Sequence, residues 1–203
     1  MISTIIFDLG NVVLSNDWHD GNVQKFAAYA QAFGTDYGAM EKGWQAAWPK
    51  FSIGQISEDE FWRIFLGESK ARAMDLVKAK ELWRRYQTSD PEMFALLSRL
   101  KARYKLGALT TISKEWLDFK RDKFRLDDYF QVILASGYIG KQKPEKEAFQ
   151  AIWTQLDTLP EQSLFIDDAE MNIRAANALG METIQFQRRQ QLIGELSKIG
   201  IEV

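Results

Sequence analysis

A chain of 203 residues, 46% hydrophobic and 27% charged, has the composition of a globular protein and the length for one domain plus a substantial insertion. Its 26 basic residues stand against 28 acidic ones for a net charge of −2, and no basic block carries interleaved aromatics, so nucleic acid is not an expected partner. The lack of cysteine excludes disulfides, thiolate metal sites and cysteine nucleophiles, and a single histidine, His19, leaves little for a histidine zinc site or a Ser-His-Asp triad.

No apolar run approaches membrane-spanning length and no charged leader precedes the first one, so no signal peptide and a soluble, cytoplasmic protein are expected. The first informative stretch is Thr4-Ile5-Ile6-Phe7-Asp8-Leu9-Gly10-Asn11-Val12-Val13-Leu14. Its unbroken apolar run reads as a strand covered on both faces. Asp8 falls at the carboxyl end, where open α/β sheets place their ligands. Leu9-Gly10-Asn11 reads as a turn that brings backbone close to a ligand.

Residues 15–88 read as helical, with no convincing strand. One stretch covers 23–32 and another 38–48, stopped by Pro49. Ser57 and Glu60 form a capping box ahead of Phe61, Trp62, Ile64, Phe65 and Leu66, and a fourth stretch covers 71–86. Five of the seven tryptophans fall in this block, where bulky rings build the core of a small bundle. Trp18, Trp44 and Trp48 are the candidates among them to line a substrate pocket.

After Ser89-Asp90-Pro91-Glu92, a helix start with Ser89 three residues before Glu92, helices and strands alternate. The pattern predicts a helix over 93–102, a strand over 104–109, a helix over 114–124 and a strand over 132–134. A helix opened by Pro144 follows, then a strand over 163–167, a helix over 171–179 closed by Gly180, a strand over 183–185 and a helix over 189–198. Such alternation indicates an α/β fold with a mostly parallel sheet. The first strand belongs with residues 89–203. The expected organisation is a core of residues 1–14 and 89–203, with residues 15–88 inserted as a helical cap over the ligand edge.

Polar residues gather where that edge should lie. Thr110-Thr111 ends the second strand, Lys143 precedes a helix, and Asp167-Asp168 ends the fourth strand. Taken singly, each has a plain reading: Asp8 as a turn cap, Thr110 as a strand-end hydroxyl, Lys143 as a solvated loop lysine, Asp167-Asp168 as a helix N-cap pair. Three clustered carboxylates need a counter-ion, however, and all-oxygen ligation suits Mg²⁺. Together the four clusters point to phosphoryl chemistry. Asp8 attacks phosphorus and forms an aspartyl-phosphate, while Asp167, supported by Asp168, holds the metal. Lys143 and Thr110 hold phosphate oxygens, with the Leu9–Asn11 backbone N–H groups as further donors.

These segments resemble, in order and spacing, the motifs of the haloacid dehalogenase superfamily across essentially the whole chain. Phe7-Asp8-Leu9-Gly10-Asn11-Val12-Val13 is similar to its first motif, Leu109-Thr110-Thr111 to its second and Lys143-Pro144-Glu145 to its third. Phe165-Ile166-Asp167-Asp168-Ala169-Glu170-Met171-Asn172 is similar to its fourth. The resemblance implies a Rossmann-like three-layer core with a helical cap, Asp8 as nucleophile, Thr110 and Lys143 on the phosphate, and Mg²⁺ held by Asp8, the Gly10 carbonyl, Asp167 and Asp168, with Asn172 in support. It implies a phosphatase of small phosphorylated metabolites.

Two positions depart from the pattern. Gly10 stands where the family's phosphatases usually carry an aspartate that acts as general acid and then base, a function worth about 10²–10⁴-fold. Similar glycine motifs occur in a branch resembling sugar-1-phosphate phosphatases. The expectation is therefore selectivity for leaving groups that need little protonation, with His19 as a candidate substitute acid. Thr111 stands where asparagine is common. The competing readings are a weakly active or non-catalytic phosphate- or metabolite-binding protein, and a haloacid dehalogenase or phosphomutase. Metal-free dehalogenases have no need of Asp167-Asp168, and mutases normally keep the acid that Gly10 replaces.

Overall fold

The computed structural model describes residues 1–14 and 22–202. Five strands, β1 (Thr4–Phe7), β2 (Lys105–Thr110), β3 (Val132–Ala135), β4 (Ser163–Asp167) and β5 (Glu182–Gln185), form one parallel sheet in the order β3-β2-β1-β4-β5. The helices are α1 (Asn22–Phe33), α2 (Tyr37–Phe51), α3 (Glu58–Glu68), α4 (Leu76–Arg85), α5 (Pro91–Leu100), α6 (Lys114–Phe124), α7 (Ser136–Ile139), α8 (Lys146–Leu156), α9 (Glu170–Ala178) and α10 (Arg189–Lys198). β1 is central, and Phe7 pairs with Ala108 on one side and Ile166 on the other.

The two-residue period of a strand divides the sheet's side chains between two apolar layers. Ile5, Phe7, Leu106, Ala108, Leu164 and Ile166 join the cluster built with α5, α6 and α10. Ile6, Leu109, Leu134 and Phe165 join the cluster built with α8 and α9. Both faces are covered, which is why β1 reads as a continuous apolar run. The chain runs from β1 outward to β2 and β3, then crosses back to β4 and β5. The carboxyl ends of β1, β2 and β4 meet at this reversal, where a parallel sheet leaves a crevice.

The helices between β1 and α5 do not stand apart from the rest. Their aromatic residues belong to the same cluster as α6, and Trp116 of α6 is the joint. Its ring stacks on Trp83 at 4.2 Å and meets Phe51 and Phe61 edge-on at 4.9 and 5.2 Å. Glu58, buried at the start of α3, accepts hydrogen bonds from the indole N–H groups of Trp62 (3.3 Å) and Trp116 (3.1 Å). Lys80 and Arg84 lie 3.7 and 3.5 Å from its other oxygen. A buried carboxylate is tolerated when it is bonded and charge-balanced in this way.

Several boundaries differ from the sequence pattern. Pro49 does not stop α2. It sits in the last turn, and the Ser52 N–H still donates to the Trp48 carbonyl at 2.8 Å, so the missing proline N–H removes one bond without ending the helix. The capping box of Ser57 and Glu60 is present. α4 starts at Leu76 behind Asp75, later than the pattern indicates. Lys70 is left-handed (φ 53°) and the N–H groups of Ala71 and Arg72 bond to Leu66 and Phe33, which holds these residues in the connection. The cap of α5 is Asp90, not Ser89, accepting from the Glu92 N–H at 3.0 Å. α8 opens at Lys146 rather than Pro144, because Glu145 and Gln142 close a turn on each other first. α7 has no sequence signature: four residues are too few to show a period. Among the described residues no helix is long and apolar enough to cross a membrane.

Candidate active site

Asp8 leaves β1 at the crevice. Its N–H donates to the Ile166 carbonyl at 2.8 Å, continuing the β1–β4 ladder and anchoring the backbone beneath the carboxylate. Lys143, on the loop between α7 and α8, places its Nζ 2.6 Å from Asp8 Oδ1 and 2.6 Å from Asp167 Oδ2. Asp167, at the end of β4, is fully buried and held from behind. The Ala169 N–H donates to its Oδ1 at 2.8 Å, and the Asn172 amide donates to Oδ1 and Oδ2 at 3.0 and 3.1 Å. Neither aspartate caps α9, whose N-cap is Ala169.

Thr110 closes β2 and is buried at the same edge. Beyond it, Ile112 donates its N–H to Ser136 Oγ at 2.9 Å, and Ser136 donates to the Ser52 carbonyl at 2.5 Å. The loop after β2 and the start of α7 are thereby tied to the end of α2. Asp8, Gly10, Thr110, Thr111, Ile112, Lys143, Asp167, Asp168, Ala169 and Asn172 surround a cavity of about 110 Å³, walled on one side by Trp48.

Burial pushes the Asp8 carboxyl up, the Lys143 ammonium pulls it down, and the Asp167 and Asp168 charges push it up again, leaving it at about 7 rather than 3.8. Burial works against the charge on Lys143, but the fields of Asp8 and Asp167 and the hydrogen bonds to them outweigh it, so the ammonium titrates above the ordinary lysine value. Between pH 3.8 and about 7 the folded chain therefore keeps a proton on Asp8 that the unfolded chain releases. The contribution of Asp8 to stability falls as pH rises through that window. In thermal melts with a chelator present, the stability of wild type relative to Asp8→Asn is expected to decline from pH 4 to 7 and level off above. A difference that stays flat across the window would contradict the raised value.

Two sequence candidates lie outside the cavity. Leu9 is buried in the large apolar cluster, and its carbonyl accepts the Val13 and Leu14 N–H groups. Asn11 is the left-handed residue of the turn (φ 55°). Its amide donates to Asp168 Oδ2 at 3.2 Å, and it lines a neighbouring cavity of about 320 Å³ with Val12, Val13, Leu14 and Arg188. Of the tryptophan candidates, Trp48 lines the site and Trp44 stacks behind it at 4.5 Å. Trp18 and His19 lie outside the described residues.

A family model for haloacid dehalogenase-like hydrolases matches residues 2–180. The chain belongs to that family. This haloacid dehalogenase-like hydrolase is 31% identical over 157 residues to flavin mononucleotide hydrolase 1 of Arabidopsis thaliana, a match covering 77% of this chain and 63% of that protein. It is 28% identical over 207 residues to D-ribitol-5-phosphate phosphatase of Bacteroides thetaiotaomicron, covering 98% of each. A HAD-family enzyme of the same bacterium, crystallised with magnesium and inorganic phosphate, superposes with a TM-score of 0.77 at 22% identity, over 95% of this chain and 99% of that one. At that identity the likeness is one of fold.

Two features of the hydrolase's structure, one beside the site and one at the joint of α3 and α6, have no signal in the sequence. Ser136 follows β3 as an ordinary serine, and only the fold brings it between Ile112 and Ser52. Glu58 reads as a first-turn acid favoured by the helix dipole, and its burial between two indoles is a tertiary fact.

Proposed function

We propose that this hydrolase is a Mg²⁺-dependent phosphatase of small phosphorylated metabolites that works through an aspartyl-phosphate on Asp8, with residues 15–88 acting as a cap over the pocket. The observation that carries the reading is a buried carboxylate at the end of the central strand, 2.6 Å from a buried lysine, in a cavity at the sheet's crevice that two further carboxylates line. The relatives named as a flavin mononucleotide hydrolase and a ribitol-5-phosphate phosphatase support the reaction class.

In this scheme an Asp8 oxygen bonds to phosphorus as the bond to the leaving oxygen breaks. Water then attacks the aspartyl-phosphate, which releases inorganic phosphate and restores the carboxylate. Lys143 and the Thr110 hydroxyl are donors to the phosphoryl oxygens, and Gly10 and Thr111 form the adjoining wall. Asn172 and the Ala169 N–H keep Asp167 from rotating.

The donor set fits a hard divalent cation in charge and chemistry. Three carboxylates, those of Asp8, Asp167 and Asp168, share the cavity with one ammonium, and their mutual repulsion contributes to the raised Asp8 value. Among the described residues no ready-made cluster of three acids is present. Lys143 bridges two of them instead, so the fit rests on oxygen chemistry and excess negative charge. Asp8, Asp167, Asp168 and the Gly10 carbonyl would hold the ion. Bound there, Mg²⁺ would supply positive charge to offset that of the nucleophile and the phosphate.

Gly10 carries no side chain to protonate the leaving oxygen. Turnover should therefore favour aryl or anomeric sugar phosphates, whose leaving groups need little protonation. The test is phosphate release from an aryl phosphate and a panel of sugar phosphates, with Mg²⁺ and with chelator. Release that falls by more than about 10²-fold on chelation is expected. No release above that of Asp8→Asn would overturn the phosphatase reading in favour of a phosphate- or metabolite-binding protein.

A further inference from the structure

We infer that Trp48 is the specificity-determining residue for the leaving group, favouring, among phosphate esters of similar leaving-group acidity, those whose first atoms beyond the ester oxygen are flat and apolar over polyhydroxylated ones. The inference deepens the phosphatase reading and rests on it for the identity of the group bound at Asp8. Within the cavity the charged side chains, Asp8, Lys143, Asp167 and Asp168, come from the ends of β1 and β4 and from the loop between α7 and α8. Trp48 is the lining residue contributed by the helices between β1 and α5, among the described residues. With Ile112 and Ala169 it makes the apolar part of the wall among the described residues, and its indole is the largest apolar surface there for the organic half of the ester.

Size sharpens the point. At about 110 Å³ the cavity is well under the ~300–1,000 Å³ of sites that enclose a small organic ligand. It admits a phosphoryl group and the first atoms joined to it, and those atoms meet Trp48. A flat apolar group against indole gains stacking and buried area. Hydroxyls placed there lose water and find no partner on the ring.

The ring is also held in place. Trp48 stacks on Trp44, one helical turn back, at 4.5 Å and 16°, and stands 5.8 Å from Trp116. The end of its helix is anchored by the Ser136 bond to the Ser52 carbonyl. Two residues further on, Gly54 (φ 75°) approaches the Gly137 carbonyl so closely that a Cβ would stand 2.5 Å from its oxygen. A wall fixed from two sides discriminates by contact rather than by rearrangement.

The experiment compares benzyl phosphate with glycerol phosphate, both alkyl esters, so that leaving-group acidity does not separate them. Wild type, Trp48→Phe and Trp48→Ala are measured with Mg²⁺. The benzyl-to-glycerol ratio of kcat/KM is expected to fall about tenfold or more in Trp48→Ala, chiefly through KM, and to stay within about threefold of wild type in Trp48→Phe. Equal losses on both esters, or an unchanged ratio in Trp48→Ala, would overturn the assignment. Calorimetric titration with benzylphosphonate, which cannot be hydrolysed, reads the same contact without turnover. If neither ester is hydrolysed and an aryl phosphate also releases no more phosphate than with Asp8→Asn, the phosphatase reading fails, while weaker benzylphosphonate binding by Trp48→Ala than by Trp48→Phe still supports Trp48 and equal binding still refutes it.

Discussion

Asp8→Asn is expected to lower phosphate release by more than about 10³-fold, because an amide oxygen is a poor nucleophile toward phosphorus and an isosteric change leaves the rest of the site standing. Lys143 keeps its bond to Asp167, and Asp167 keeps its bonds from Ala169 and Asn172. The loss should therefore fall on kcat far more than on KM. The variant should also fold at least as well as wild type near neutral pH. Burial and the charges of Asp167 and Asp168 oppose ionisation of Asp8, so a neutral amide there relieves repulsion. Activity within about tenfold of wild type, with an unchanged melt, would place the nucleophile elsewhere.

The second large effect lies away from the chemistry. Trp116→Ala is expected to cost about 3–5 kcal/mol in urea denaturation, the range for removing a large aromatic from a close-packed core. Its ring touches Trp83, Phe51, Phe61 and Trp62, and its N–H is one of two indole donors to the buried Glu58. Trp116→Phe separates the contributions. It retains most of the packing and removes the donor, for an expected loss of about 1–3 kcal/mol. A cost below about 1 kcal/mol for Trp116→Ala would show that the helices after β1 hold to the core without this joint.

Much of the fold is legible because strongly buried strands and well-capped helices announce themselves locally. The fourth strand and the helices over 114–124 and 189–198 fall where the pattern puts them. In the first of these helices Ser113 supplies a cap just ahead of the run, accepting from the Trp116 N–H at 3.2 Å. The errors sit where a local rule met a tertiary bond. Pro49 is tolerated because the turn around it remains bonded, and α4 starts late because the residues before it bond elsewhere.

The sequence by itself determined the α/β class, the family and the set of polar groups at the ends of the strands, because apolar periodicity and strand-end chemistry are written locally. Only the tertiary structure decided how that set divides. It brought Asp8, Lys143 and Asp167 within hydrogen-bonding distance and sent Leu9 into the core. It turned Asn11 toward Asp168 and set Trp48, rather than Trp44, against the cavity. Direction is the physical reason: residue order says which groups reach the crevice, and backbone twist and packing decide which way each side chain turns on arrival.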